Sequence, residues 1–246
     1  MNFDYCKRLQ GDPSLHAWTR LSIMQTRQNI MATVLPLSDA SRKPRHFPFA
    51  TTAIILINGF VFFRELMEGD AFVLKWVAVP AHITAGHDWL TILTATFMHA
   101  SWSHILGNML FLWAFGPEVE DAMGPLRYIA FYLSGGIISM LAQIAAAPDS
   151  AVPNMGASGA IAAVMGAFLI TYPRDRIKVL LVIFIFVRVT FIPASLMIVV
   201  WFITQLLSVG TIATAQTGGV AYLAHIGGFA FGTLTARQFE RSRDYE

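Results

Sequence analysis

The chain has 246 residues, enough for one domain and marginal for two, and carries a net charge of +2. Hydrophobic residues make up 55% of it and charged residues 13%, against about 25% charged in an ordinary soluble domain. That shortage of charge points to a membrane protein, and the small net charge gives no reason to expect nucleic acid as a partner. Cys6 is the single cysteine, so neither an intrachain disulfide nor a zinc cluster is expected, and no metal or cofactor is expected either.

Residues 1–48 are polar and hold Lys7, Arg8, Arg20, Arg27, Arg42, Lys43 and Arg45 against Asp4, Asp12 and Asp39. No continuous apolar run of signal-peptide type follows Met1, so they read as a loosely ordered tail. A start at Met24 or Met31, or a weak targeting segment, stays open as an alternative. A first span is expected from about Phe49 to Leu66, because a bilayer core about 30 Å thick takes about 20 helical residues. Residues 67–97, with Trp76, His82, His87 and Trp89, read as an interfacial loop with short helices, since tryptophan favours the headgroup zone. The second span is expected from about Ser101 to Glu120 and the third from about Leu126 to Ala147. The fourth runs from about Met155 to Tyr172, stopped by Pro173. Residues 179–210 form one apolar stretch broken by Arg188 and Pro193, too long for a single untilted helix. It divides into a partly buried or interfacial piece at 179–190 and a fifth span at about Pro193–Val209. The sixth span is expected from about Gly219 to Ala236, followed by a short cytoplasmic tail at 238–246. The expected fold is all-α: a six-transmembrane-helix bundle over residues 49–237.

Lysine and arginine set the orientation. With six spans and the N-terminus inside, the inner segments hold the tail cations, Arg127, the Arg174, Arg176 and Lys178 cluster, and Arg237, Arg241 and Arg243. The outer loops hold Arg64 and Lys75. Both termini are therefore expected in the cytoplasm. This places Ser158, His225, His104 and Asn108 at similar depth, nearer the outer face.

A serine inside a span is commonly structural, bonded to a backbone carbonyl. A histidine inside a span is costly and usually functional. Gly159 and Ala163 on the fourth span, and Ala224, Gly228 and Gly232 on the sixth, repeat at four-residue spacing. Small residues so spaced let two helix backbones approach closely. Ser158 precedes the first small face by one residue and His225 follows Ala224, so close packing brings hydroxyl and imidazole toward hydrogen-bond reach. Histidine is the natural base for a hydroxyl that attacks a carbonyl. Beyond Arg64-Glu65, where the first span ends, the acids near the spans are Glu118, Glu120 and Asp121 at the inner end of the second, the wrong depth for a third member. A dyad is expected rather than a triad. His104 and Asn108, one helical turn apart on one face, are candidate oxyanion donors together with the Ser158 backbone N–H. Their bland alternative is a hydrogen-bonded pair anchoring an outer loop, a part that also suits His99.

These residues resemble the rhomboid family of intramembrane serine proteases. The likeness rests on His99-Ala100-Ser101-Trp102-Ser103-His104-Ile105-Leu106-Gly107-Asn108, and on Gly116-x-x-x-Glu120-x-x-x-Gly124. It also rests on Gly156-Ala157-Ser158-Gly159 and Ala224-His225-x-x-Gly228-x-x-x-Gly232. The ordered set covers roughly residues 50–236. The resemblance implies Ser158 as nucleophile, His225 as general base and later acid, and His104 with Asn108 at the oxyanion. It implies Glu120 as a structural tie between helices, and single-span membrane proteins as substrates. It implies a side entrance formed by the fifth span and the loop before the sixth. An aromatic residue often stands four after the serine, against the histidine; here it is Ala162, which leaves Tyr222 as a candidate to orient the imidazole. The Trp-Arg pair often seen in the first loop is absent, and Pro117 is expected to distort the second span.

Two other classes compete with this reading. A non-catalytic relative that binds membrane helices typically lacks the serine or the histidine, and this chain has both. A transporter or channel would more readily show an acid at mid-depth. A multi-pass protein of a bacterial inner membrane is the expected setting, from the short tail and minimal loops. The sequence names neither a particular substrate nor an oligomeric state.

Overall fold

The computed structural model describes residues 33–183, 186–212 and 222–241. Expectations about residues 1–32, the start of the sixth span before Tyr222 and the last five residues lie outside the described residues. In chain order the elements are strand β1 (Thr33–Asp39), helix α1 (Phe49–Glu68), the short helices α2 (Asp70–Trp76), α3 (Pro80–Thr84) and α4 (Thr91–Thr94), and a 3-10 turn at Ala95–Phe97. Helices α5 (Trp102–Met123), α6 (Pro125–Ala146) and α7 (Ser158–Thr171) follow. The chain then runs through strands β2 (Arg176–Ile183) and β3 (Phe186–Pro193) into helices α8 (Ala194–Ile212) and α9 (Tyr222–Phe239).

Each long helix starts where local chemistry starts it. Ser101 caps α5, its hydroxyl accepting from the His104 N–H at 3.2 Å. Gly124, at φ +80, turns the chain between α5 and α6, and Pro125 opens α6 with a φ suited to a first turn. Helix α1 has no side-chain cap of its own at Pro48. Buried Glu120 of α5 supplies one, accepting from the Ala50 N–H at 2.8 Å, the Thr51 N–H at 2.7 Å and the Thr51 hydroxyl at 2.8 Å. A carboxylate there satisfies orphan N–H groups and faces the positive end of the helix dipole. Helix α5 continues through Pro117 to Met123 without a break. At the adjacent Gly116 a Cβ would lie 2.7 Å from the Tyr128 hydroxyl, so the missing side chain is what lets α5 and α6 meet there.

Helix α7 is the centre. Every residue from Gly159 to Phe168 is buried, the pattern of a helix enclosed on all sides. Helices α5, α6 and α9 surround it. Against α9 the approach is backbone to backbone: a Cβ at Gly228 would overlap the Gly159 carbonyl, and one at Gly232 would overlap the Ala163 carbonyl. A Cβ at Gly159 would overlap the Ser139 hydroxyl of α6. Beneath this packing lie Phe115, Tyr128, Phe131, Tyr132 and Phe168, all fully buried.

The expected all-α fold needs correction. The fold is mostly helical, not all-α. Strands β1, β2 and β3 form one antiparallel sheet in that order, with β2 in the middle and β1 packed on α5. Residues 33–39, expected in a loose tail, pair with β2 from Thr33 opposite Val182 to Asp39 opposite Ile177. The piece expected at 179–190 is part of a strand pair, from Arg176 opposite Pro193 to Ile183 opposite Phe186. The reason is a period of two: Arg176-Ile177-Lys178-Val179 alternates exposed and buried, and the run is rich in β-branched residues. Averaged hydropathy hides that alternation. By length and composition, only α1 and α6 among the described helices are clear membrane-span candidates.

At the sheet's edge with the helices, Arg42 hydrogen-bonds both carboxylate oxygens of Asp175, the Nη2–Oδ1 bond at 2.9 Å, and lies over the Tyr172 ring at 3.9 Å. That pairing holds the Asp175 carboxyl below its ordinary range. Asp39 stands beside them, and burial pushes its carboxyl up to about 6.

Candidate active site

The loop before α7 is stitched in place by backbone hydrogen bonds. Ala78 and Asn154 exchange a pair at 3.1 and 2.7 Å, and the Gly156 N–H donates to the Ala95 carbonyl at 2.8 Å. Gly156 sits at φ +126, a backbone state that L side chains rarely adopt. The turn delivers Ser158 as the first residue of α7, where backbone N–H groups have no intrahelical acceptor. His225 lies buried one turn into α9.

The small-residue contact between α7 and α9 brings these two together. The Ser158 hydroxyl and His225 Nε2 are 2.7 Å apart. The other ring nitrogen, Nδ1, is 2.7 Å from Oε1 of Gln205 on α8. The Gln205 amide is oriented by its own bonds. Its Nε2 faces the Trp201 carbonyl at 3.3 Å and the Thr204 hydroxyl at 3.1 Å. A carbonyl only accepts, so the NH2 end must point there and the oxygen must point to His225. An amide oxygen also only accepts, so Nδ1 carries the proton and Nε2 presents a lone pair to Ser158. Aromatic rings complete the imidazole's surroundings: Trp201 of α8 at 5.7 Å and 38°, and Tyr222 edge-on at 6.3 Å and 90°.

His104 takes the opposite tautomer. Its Nδ1 accepts from the Ala100 N–H at 3.4 Å, which puts the proton on Nε2. That nitrogen flanks Gly156: a Cβ there would lie 2.8 Å from His104 Nε2 and 3.7 Å from the Ser158 hydroxyl. His104 and Ser158 thus border the same small space, which Gly156 keeps open. Asn108 is bonded elsewhere, its amide nitrogen 2.9 Å from His99 Nε2. The His99 backbone N–H in turn donates to Glu65 of α1 at 3.0 Å. Asn108 therefore anchors the loop before α5 through one N–H and keeps a second. Glu120 lies far along α5 from this cluster, at the α1 cap. Among the described residues no group of histidine, cysteine and acidic side chains forms a cluster able to hold a metal.

The family model described as the Rhomboid domain matches residues 86–241. The chain belongs to the rhomboid family. The matched stretch holds all the residues of the cluster except Glu65, while β1 and α1 precede it. Among curated relatives, rhomboid protease GluP of Bacillus subtilis is 32% identical over 133 residues, 52% of this chain and 26% of the relative. Rhomboid-like protein 11, chloroplastic, of Arabidopsis thaliana is 35% identical over 124 residues, 49% of this chain and 41% of the relative. The mitochondrial presenilin-associated rhomboid-like protein of Homo sapiens is 34% identical over 91 residues, 36% of this chain and 24% of the relative. The chain thus spans less than half the length of each of these relatives. Membership makes it an integral membrane protein. The mitochondrial and chloroplastic names give no support to the bacterial inner membrane expected from the short loops.

In this rhomboid the residue hydrogen-bonded to the imidazole at Nδ1 is Gln205, which is not among the expected site residues. Ala162 is fully buried inside α7 and offers no ring; Tyr222, the candidate in its place, meets His225 only edge-on. Gln205 was legible as the one amide in the apolar stretch Pro193–Val209, and a polar residue in such a stretch is a functional candidate by default. An amide, unlike an acid, carries no charge that marks it as a partner for the imidazole.

Proposed function

We propose that this rhomboid is an intramembrane serine endopeptidase that cuts single-span membrane proteins through a Ser158–His225 dyad. The reading rests first on the 2.7 Å approach of the Ser158 hydroxyl to His225 Nε2 in a chain of this family. The Ser158 oxygen attacks the scissile carbonyl carbon while its proton passes to His225 Nε2, and the carbonyl π pair moves onto oxygen. The His104 Nε2–H, the second N–H of Asn108 and the Ser158 backbone N–H are the donors for that oxyanion. On collapse the C–N bond breaks, His225 returns its proton to the leaving amine, and an acyl-serine remains. Water, deprotonated by His225, then attacks the ester carbonyl; the bond from that carbon to the Ser158 oxygen breaks, His225 returns the proton to Ser158, and the carboxylic acid product leaves and ionises.

The membrane arrangement belongs to the same proposal. Helices α1, α5, α6, α7, α8 and α9 are six spans with both termini on the cytoplasmic side, where lysine and arginine concentrate. Helix α7, about 21 Å long at 1.5 Å per residue, is shorter than the bilayer core. Its buried N-terminus then lies below the outer surface, in a polar cavity that admits water. The α1–α5 tie through Glu120 lies at the cytoplasmic end, as a structural element.

Reconstitution with a labelled single-span substrate panel tests this. Wild-type cleavage that disappears in both Ser158→Ala and His225→Ala is the expected result. Cleavage by Ser158→Ala at the wild-type rate overturns the proposal.

A further inference from the structure

The geometry points to Gln205 as a positioning residue that holds His225 in the one tautomer able to accept the Ser158 proton, from the station a carboxylate occupies in a triad. This rests on the dyad reading above and adds a third, neutral member to it.

A neutral imidazole free to choose places its proton on either nitrogen. With the proton on Nε2, the ring would donate toward Ser158 and could not act as its base. The acceptor at Nδ1 decides between the two forms. Gln205 Oε1 stands 2.7 Å from Nδ1, both side chains are buried, and the Trp201 carbonyl fixes which end of the amide faces the ring. When the Ser158 proton arrives at Nε2, the Nδ1–H···Oε1 bond persists and becomes charge-assisted, so it supports the imidazolium as well. A carboxylate would support that cation more strongly. It would also place a charge in an apolar span, at a cost an amide avoids.

The bond is held from outside the ring. Trp201 and Phe202 of α8 pack on Phe229 of α9, Phe202 stacked at 4.3 Å, one turn below the polar contact. Gln205 and His225 stand on different helices, so the tautomer is set only while α8 is docked on α9. Chain connectivity carries the same dependence: α8 leads directly out of β3 at Pro193, which makes the sheet the lower support of the helix that carries Gln205.

The test compares full-length wild type with Gln205→Leu and Gln205→Glu, with cleavage kinetics, fluorophosphonate labelling rates and histidine ring nitrogen chemical shifts as readouts. Leucine keeps the bulk and removes the acceptor; glutamate keeps the acceptor. Gln205→Leu is expected to lower kcat and the labelling rate on the order of 10-fold or more, with KM changed less than twofold. Its His225 signals are expected to move from the Nδ1–H form to a mixture. Gln205→Glu is expected to recover most of the rate, even though the buried charge lowers thermal stability. The inference is overturned if Gln205→Leu keeps wild-type kcat and an unmixed Nδ1–H signal. It is also overturned if both variants lose rate and thermal stability together, the mark of a packing role. Failure of the dyad itself is separate: it reads as cleavage persisting in Ser158→Ala, whatever Gln205 does.

Discussion

His225 stands between two hydrogen bonds of opposite sense, donating from Nδ1 and accepting at Nε2, while His104 beside it accepts at Nδ1 and keeps Nε2–H to donate. One backbone position borders both His104 and the Ser158 hydroxyl. Gly156 at φ +126 leaves a space that any Cβ would fill at 2.8 Å from His104. Gly156→Ala should cost about 1–3 kcal/mol of stability through backbone strain and reduce fluorophosphonate labelling. Wild-type labelling with wild-type unfolding would refute that. Asn108 has two parts to separate, the bond to His99 and the proposed oxyanion contact. Asn108→Ala should lower kcat on the order of 10²-fold, and His99→Ala, which breaks only the anchor, should lower it far less. Equal losses would reduce Asn108 to a loop anchor. The sequence made Ser158, His225, His104 and Asn108 legible because polar groups in apolar segments stand out. It did not reveal that the Asn108 amide is already committed to His99, because that bond depends on how the loop folds back over α5.

Helices α7 and α9 are the elements on which the site depends, and their contact is the part of the fold most legible in advance. Glycine and alanine at four-residue spacing announce a close approach, and Gly228 and Gly232 lie against carbonyls of α7 with no room for a methyl group. Gly232→Ala should force the helices apart, costing about 1–3 kcal/mol by overpacking, and should slow labelling by separating hydroxyl from imidazole. Calorimetry or denaturant titration in detergent gives the first number and the probe the second. Full labelling in a destabilised Gly232→Ala would show that the dyad does not depend on this contact. At the far end of α5, Glu120→Gln should destabilise by about 1–3 kcal/mol, since an amide cannot accept as many of the α1 N–H bonds. Its effect on kcat should be small, because that end is remote from Ser158. The strands were not legible by the same means. A hydropathy run shows how apolar a stretch is, and only its period separates a strand from a span; here the alternation of exposed and buried residues is confined to Arg176–Val179, and the apolar run that follows hides it.

For the molecule as a whole, the sheet joins the segment before α1 to the connection between α7 and α8, with Arg42, Asp39 and Asp175 at its edge. Burial raises Asp39 to about 6 from an ordinary 3.8, so between those values the folded chain keeps a proton that the unfolded chain has released. The stability this group contributes is complete below about pH 4 and is lost as pH rises through 6. Asp175, lowered by Arg42, acts in the opposite sense, contributing above its unfolded value and losing that contribution only in stronger acid. Asp39→Asn should therefore remove a decline in thermal midpoint between pH 4 and 7 and be more stable than wild type at pH 7. A wild-type profile with no decline, or an unchanged one in the variant, would contradict this. None of it was legible beforehand, because Asp39 lay in a stretch whose pairing partner is about 140 residues away. The central claim is narrower: Ser158, opposite His225, is a nucleophile. It is tested most directly by treating the reconstituted protein with a fluorophosphonate and mapping the adduct by peptide mass. A single adduct on the Ser158 peptide, absent in His225→Ala, is the result predicted; no adduct at Ser158 in a protein that cleaves substrate would contradict it.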